Sequence, residues 1–120
     1  MLAAQMKRLT EGMPDSDGFR LLSISVDPEK DTPQRLARYA KDLGVEDPRW
    51  SFLTGKKSAI RNLVIQGFKL AVEKDKSDVL HSSMLVLVDK HGRIRGYFNG
   101  LLGDSAEQIR AAATQLLKQP

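Results

Sequence analysis

The residues of this 120-residue sequence best suited to bind a metal are its two histidines. His81 lies just ahead of the apolar run 84–88, whereas His91 lies in the polar turn 89–92. A neutral imidazole is a common metal ligand, but a lone histidine beside a strand is more often a hydrogen-bonded structural residue. Taken alone, His81 is therefore a candidate metal ligand with a structural alternative, and we interpret His91 as an exposed turn residue.

The sequence contains no cysteine. Within these residues there is consequently no disulfide, no thiolate metal site and no cysteine nucleophile. Other catalytic patterns are missing as well: no carboxylate pair is placed to converge on a histidine, and no Gly-x-Gly-x-x-Gly loop follows a strand. The sequence alone therefore predicts no catalytic residue.

Charge and hydropathy exclude two further classes of partner. Nineteen basic and fifteen acidic side chains give a net charge of +4, and the excess is spread along the chain. Nucleic-acid-binding proteins usually concentrate their basic residues in a patch, so we expect no nucleic-acid partner. The longest apolar run, 84–88, is far shorter than the about 20 residues of a membrane helix. We predict no membrane span, no targeting signal and a single domain over 1–120.

Hydrophobic spacing predicts an alternation of helices and strands. The predicted helices cover 2–13, 33–43, 58–66 and a final segment from 104 or 105; the predicted strands cover 19–26, 50–53, 68–73, 83–88 and 93–98. Thr32 and Pro33 suit a helix start, and Gly44 suits its end. Glu107 and Gln108 are spaced to complete a capping box. The buried stripe expected for the second helix is Leu36, Tyr39, Ala40 and Leu43.

This order of elements indicates an α/β thioredoxin-like three-layer sandwich that is N-terminally truncated. The opening strand of that fold is central, so its absence would leave a gap between the strands 19–26 and 83–88. Open strand edges recruit another strand or aggregate. We therefore expect marginal stability or self-association through these edges.

Three motifs occur in an order that resembles the Sco/SenC family of thioredoxin-like copper chaperones, which act in cytochrome c oxidase assembly. The motifs are Ser25-Val26-Asp27-Pro28-Glu29-Lys30-Asp31-Thr32-Pro33, Trp50-Ser51-Phe52-Leu53-Thr54-Gly55, and His81-Ser82-Ser83 leading into Leu87-Val88-Asp89-Lys90-His91-Gly92-Arg93-Ile94-Arg95-Gly96-Tyr97. The resemblance extends from Leu2 to about the C-terminus.

The resemblance implies a copper site made of a Cys-x-x-x-Cys motif and one distant histidine, and His81 matches that histidine. Cu(I) is soft and prefers thiolates, with an imidazole completing a three-coordinate site. The two cysteines would fall immediately before Leu2, so we expect copper binding by this chain to be impaired. The resemblance also suggests that Asp27 lies near the copper site, although a turn residue before Pro28 is the simpler interpretation.

The implied partners are a copper ion and the copper-site subunit of cytochrome c oxidase, in the periplasm or an equivalent cell-envelope space. The protein would then be a metallochaperone and not an enzyme. Two alternatives stay open: a truncated thioredoxin-fold thiol–disulfide oxidoreductase, and a cysteine-free interaction module that pairs its open sheet with a partner strand.

Overall fold

The computed structural model describes residues 2–13, 18–70, 73–74 and 80–119. The helices are α1 (Leu2–Gly12), α2 (Pro33–Leu43), α3 (Lys57–Asn62) and α4 (Ser105–Leu117), and a π-helical turn, Leu63–Gly67, follows α3. The strands are β1 (Leu21–Ile24), β2 (Trp50–Leu53), β3 (Glu73–Lys74), β4 (Leu80–His81), β5 (Met84–Val88) and β6 (Ile94–Asn99). No helix in the described ranges has the length and apolar character needed to cross a bilayer.

The chain forms two compact units. The terminal unit comprises Met1–Phe19 with Ser83–Pro120, and the central unit comprises Arg20–Ser82. The strands of the described ranges form three two-stranded sheets: parallel β1–β2, antiparallel β3–β4 and antiparallel β5–β6. The single domain over 1–120 stays a prediction. Self-association through open strand edges also stays a prediction.

In the central unit, the two faces of the β1–β2 sheet carry different side chains because successive residues of a strand alternate between faces. On one face Trp50 stacks on Phe52 with ring centroids 5.0 Å apart, and Tyr39 of α2 meets Phe52 edge-on at 5.8 Å. On the other face Ile24 packs against Ile60 and the buried Val64. Tyr39 of α2 thus contacts one face of the sheet, and Ile60 of α3 with Val64 of the π-helical turn contacts the other.

Helix α2 begins and ends at the residues that the sequence predicted, Thr32 with Pro33 and Gly44. The Arg35 N–H donates a 3.2 Å hydrogen bond to Thr32 Oγ1, and Pro33 occupies the first turn. Gly44 ends the helix at φ +78°, a left-handed conformation that glycine adopts without a steric penalty. The stripe predicted for α2 is confirmed in position at Leu36, Ala40 and Leu43, which are half-buried, whereas Tyr39 is 49% exposed and no residue of the helix is fully buried. The edge-on contact with Phe52 therefore leaves about half of Tyr39 exposed.

The segment predicted as one helix over 58–66 is an α-helix followed by a π-helical turn. The Phe68 N–H bonds to the Leu63 carbonyl at 2.8 Å, a spacing of five residues instead of four. The turn buries Val64 and leaves Leu63 39% exposed. The Leu70 N–H bonds back to the Val64 carbonyl, so 68–70 do not form part of the predicted strand 68–73; 71–72 lie outside the described residues, and Glu73 begins β3. The polar run 74–78 is typical of an exposed loop; Lys74 lies in β3, and 75–78 lie outside the described residues.

In the terminal unit, α1 and α4 pack together. Their buried apolar side chains are Met6 and Leu9 of α1, Met13 just after it, and Ala106 and Ile109 of α4. Gln5 is also buried, and its Nε2 donates to the Leu102 carbonyl at 3.1 Å. This burial confirms the helical spacing predicted for Met6, Leu9 and Met13.

The capping box predicted for α4 is wrong. Asp104 is the residue before the helix, but its side chain makes no capping hydrogen bond. The Gln108 Nε2 donates instead to Asp104 Oδ2 at 2.9 Å, so the side chain of Gln108 bonds the carboxylate and not the backbone. The β5–β6 hairpin carries a register shift at Leu87 and Val88.

Candidate functional site

His81 is the last residue of β4, and its backbone lies opposite Glu73 of β3 in an antiparallel register. Two residues, Ser82 and Ser83, connect it to β5. This ladder fixes the backbone of His81 ahead of the apolar strand, as the sequence motif implied. The role of His81 as a metal ligand stays a prediction.

The loop after β1 is held by hydrogen bonds centred on Ser25. Ser25 Oγ donates to Asp31 Oδ2 at 2.6 Å and accepts from the Asp27 N–H at 3.1 Å. The Asp27 carbonyl accepts from the Lys30 and Asp31 N–H groups at 3.1 and 2.9 Å. Asp27 therefore forms the turn that its position before Pro28 predicted.

The hydrogen bond between Ser25 and Asp31 was not foreseen from the sequence. The position of Asp31 directly before Thr32 favours a role at the helix start, but it is Thr32 that caps α2 with its side chain. The only sequence signal was a serine at the end of a strand, six residues before an acidic residue. Because the loop leaves the carboxyl end of a parallel strand, where α/β proteins often place functional groups, this network positions Asp27 at that edge.

Two described carboxyl groups have strongly lowered pKa values, and both belong to turns. Hydrogen bonds from the Arg49 side chain, with a further one from its backbone N–H, lower the pKa of Asp47 to about 2. The Arg93 backbone N–H, together with the Arg95 side chain and the His91 N–H, holds the pKa of Asp89 far below its usual range. Each shift is caused by hydrogen bonds within a turn, supported by an arginine charge, so neither marks a catalytic acid or base.

The described residues contain no group of three or more His, Cys, Asp or Glu side chains that could hold a metal ion. His91 is exposed in the turn between β5 and β6, as predicted, and its N–H donates to Asp89 Oδ1 at 2.9 Å. An open groove of about 300 Å³ lies between α1 and α4 and is lined by Arg8, Glu11, Glu107 and Arg110, among others. Its charges are mixed, so it favours neither an anion nor a cation.

A model of the SCO1/SenC family matches residues 1–118 of the sequence. The chain belongs to the SCO1/SenC family. Among its relatives, the SCO1 protein homolog of Bacillus subtilis is 32% identical over 102 residues, covering 79% of this chain and 53% of that protein. The SCO2-like protein of Rickettsia prowazekii is 35% identical over 92 residues, covering 72% of this chain and 42% of that protein. The chain thus spans about half the length of these SCO1/SenC relatives.

Solved structures of SCO1/SenC proteins confirm the predicted α/β thioredoxin-like fold. A SCO1/SenC family lipoprotein from Bacillus anthracis superposes with a TM-score of 0.84 at 22% identity, covering 98% of this chain and 71% of that one. BsSco, described as a Sco family member with a disulfide switch, superposes with a TM-score of 0.82 at 28% identity, covering 99% and 71%. At these identities the likeness establishes how the SCO1/SenC chain folds.

Proposed function

We propose that the protein is a Sco-type metallochaperone that carries copper for cytochrome c oxidase assembly, with His81 as one copper ligand. Membership of the SCO1/SenC family carries this proposal. BsSco is described as belonging to the Sco family of cytochrome c oxidase assembly proteins. The fixed backbone of His81 at the end of β4 supports its part in a preorganised site.

The ligand chemistry requires partners for His81. Copper is the cargo, and Cu(I) prefers soft thiolates over a single imidazole. The 120 residues contain no cysteine, and the described part of the chain holds no cluster of three metal-ligating side chains. His81 would therefore supply one nitrogen ligand, while the thiolates of the site would come from residues outside these 120. We expect copper binding by the 120 residues alone to be weak.

The acceptor in this proposal is the copper-site subunit of cytochrome c oxidase, and the location is the cell envelope. The Bacillus anthracis neighbour is described as a lipoprotein, which supports a location at a membrane surface. A thiol–disulfide reaction is the second candidate function, favoured by the disulfide switch described for BsSco. That reaction too would need cysteines that the 120 residues do not supply.

The gene sequence upstream of Met1 gives the first test. We expect an in-frame strand followed by Cys-x-x-x-Cys shortly before Leu2, where the family motif would place the thiolates. A stop codon or an unrelated sequence there would contradict the copper proposal. The same information separates the two candidates, because a Cys-x-x-Cys or a single cysteine would favour thiol redox chemistry instead.

Competition with a chromophoric Cu(I) chelator then tests the ligands. The 120-residue chain should lose Cu(I) to the chelator, whereas the longer protein with the cysteine pair should retain it. In the longer protein, His81→Ala should weaken the affinity for Cu(I) by about tenfold or more, because one of three ligands is lost. His91→Ala is the matched control and should leave the affinity unchanged. A tight stoichiometric complex of the 120-residue chain, or equal affinities of the two alanine variants, would contradict the proposal.

A further inference from the structure

The turn that joins β5 to β6 holds two arginines on one buried carboxylate. Asp89 Oδ2 accepts from Arg93 Nε at 3.3 Å and from Arg95 Nη1 at 3.2 Å. The other oxygen, Oδ1, accepts from the N–H groups of His91 and Arg93 at 2.9 and 3.0 Å. The Asp89 side chain is 6% exposed, and each of its two oxygens accepts two hydrogen bonds from the hairpin.

The two guanidinium groups remain accessible. The Arg93 side chain is 68% exposed and the Arg95 side chain is 37% exposed. Each is held to Asp89 through one nitrogen, and among the described residues their other N–H groups have no further protein acceptor. Asp89 thus holds both side chains, while most of Arg93 and about a third of Arg95 stay exposed.

The backbone places Arg95 by an irregularity in the hairpin. Val88 pairs with Ile94 and Leu87 pairs with Gly96, so Arg95 is an extra residue in β6. A bulge of this kind re-aims the side chain that it carries. The bulge sets the direction of Arg95, and the Asp89 carboxylate bonds both Arg93 and Arg95. The two arginines therefore lie together at one end of the hairpin.

Although the basic residues are spread along the chain, three of them lie close together at this position. Lys90, Arg93 and Arg95 contribute three positive charges and Asp89 one negative charge, a formal +2 that is half of the chain's net +4. The one carboxylate is shielded, whereas the cationic groups are exposed. Within a Debye length, such a surface attracts anionic groups of a partner.

We propose that this surface, defined as Lys90, Arg93 and Arg95 with Asp89 beneath them, binds a carboxylate-rich surface of a partner protein. Planar guanidinium forks match the geometry of carboxylates and bind them through paired hydrogen bonds. Tyr97 and Val88 on the same hairpin are 43% and 41% exposed. Arginine and tyrosine are enriched at protein interfaces. The proposal does not depend on copper binding by His81.

A membrane partner fits this surface less well. Peripheral membrane binding needs bulky apolar residues that enter the lipid beside the basic ones. The tip of the turn is Asp89-Lys90-His91-Gly92, which has no apolar side chain. An acidic protein surface needs no such insertion and is the occupant that the charges favour.

The test uses a fluorescein-labelled peptide of repeating glutamate and glycine, with binding followed by fluorescence anisotropy at low ionic strength. The native chain should bind it saturably. The double variant R93Q/R95Q should weaken the Kd by about tenfold or more. The control R38Q/K56Q removes the same charge from two exposed side chains of the central unit and should change the Kd by less than about threefold. Melting curves of all variants establish that each is folded.

A second double variant keeps the proposal testable if R93Q/R95Q does not fold. R93K/R95K retains both charges and the attraction to Asp89 but loses the planar forks, so it should bind the peptide several-fold more weakly than the native chain. Native affinity in R93K/R95K, equal losses in R93Q/R95Q and R38Q/K56Q, or no saturable binding by the native chain would overturn the proposal. Binding of phosphatidylglycerol vesicles or single-stranded DNA, but not of the peptide, would overturn it as well.

Discussion

Ser25 Oγ donates a 2.6 Å hydrogen bond to the carboxylate of Asp31, six residues further along the chain. The same hydroxyl accepts a hydrogen bond from the Asp27 N–H. Ser25 therefore bonds both the beginning and the end of the loop between β1 and α2. Hydrogen bonds to a charged group are stronger than those between neutral groups. The conformation of this loop, which carries the family motif, therefore depends on Ser25.

Replacing Ser25 by alanine should destabilise the protein and open this loop. We expect a loss of about 1–2 kcal/mol in the free energy of unfolding, because Asp31 and the Asp27 N–H each lose a partner. Hydrogen exchange at the Asp27 amide should accelerate. Ser51→Ala on β2 is the control and should leave that exchange rate unchanged. An unchanged Asp27 exchange rate in Ser25→Ala would contradict this role of the hydroxyl.

Acid should weaken the fold through Asp47. Its pKa is lowered from an ordinary value of 3.8 to about 2 by hydrogen bonds from Arg49. Between these values the unfolded chain binds more protons at this site than the folded chain does, so the stabilisation is present above pH 4 and is lost as the pH falls towards 2. Asp47→Asn should lower the free energy of unfolding at pH 7 by about 1 kcal/mol.

Urea denaturation between pH 2 and pH 7 measures this effect. The loss of stability on acidification should be smaller in Asp47→Asn than in the native chain. Asp42→Asn, on the exposed surface of α2, should follow the native curve within about 0.5 kcal/mol. Parallel pH curves for the native chain and Asp47→Asn would show that the ion pair contributes nothing.

The core of the central unit should be sensitive at Ile60 and tolerant at Leu63. Ile60 is 6% exposed, whereas the π-helical turn leaves Leu63 39% exposed. Ile60→Ala should cost about 2–4 kcal/mol, since it removes transfer energy and leaves a cavity. Leu63→Ala should cost less than about 1 kcal/mol. Equal losses for the two variants in urea denaturation would place Leu63 in the core and contradict the π-helical turn.

The elements that the sequence predicted correctly are those with local determinants. Thr32, Pro33 and Gly44 act on the backbone within a few residues, and they define the ends of α2 as expected. The alternation of Trp50 and Phe52 likewise predicted one face of β2, where the two rings stack. Such features need no knowledge of distant parts of the chain.

The errors arise where packing or an irregular backbone overrides the pattern. Ile60, Leu63 and Val64 are spaced for one helical face, yet Ile60 and Val64 are buried while Leu63 is 39% exposed. The apolar spacing in α2 predicted a buried Tyr39, yet burial depends on how much of the helix the sheet covers. The bond between Ser25 and Asp31 also depends on the loop conformation, which no residue pattern specifies.

The central claim, that His81 is a copper ligand, is tested most directly by X-ray absorption at the copper edge of the Cu(I)-loaded longer protein. We predict a spectrum of two sulfur ligands and one imidazole, and loss of the imidazole scattering in His81→Ala. His91→Ala should leave the spectrum unchanged. A spectrum without imidazole scattering in the native protein, or with the same scattering in His81→Ala, would contradict the claim.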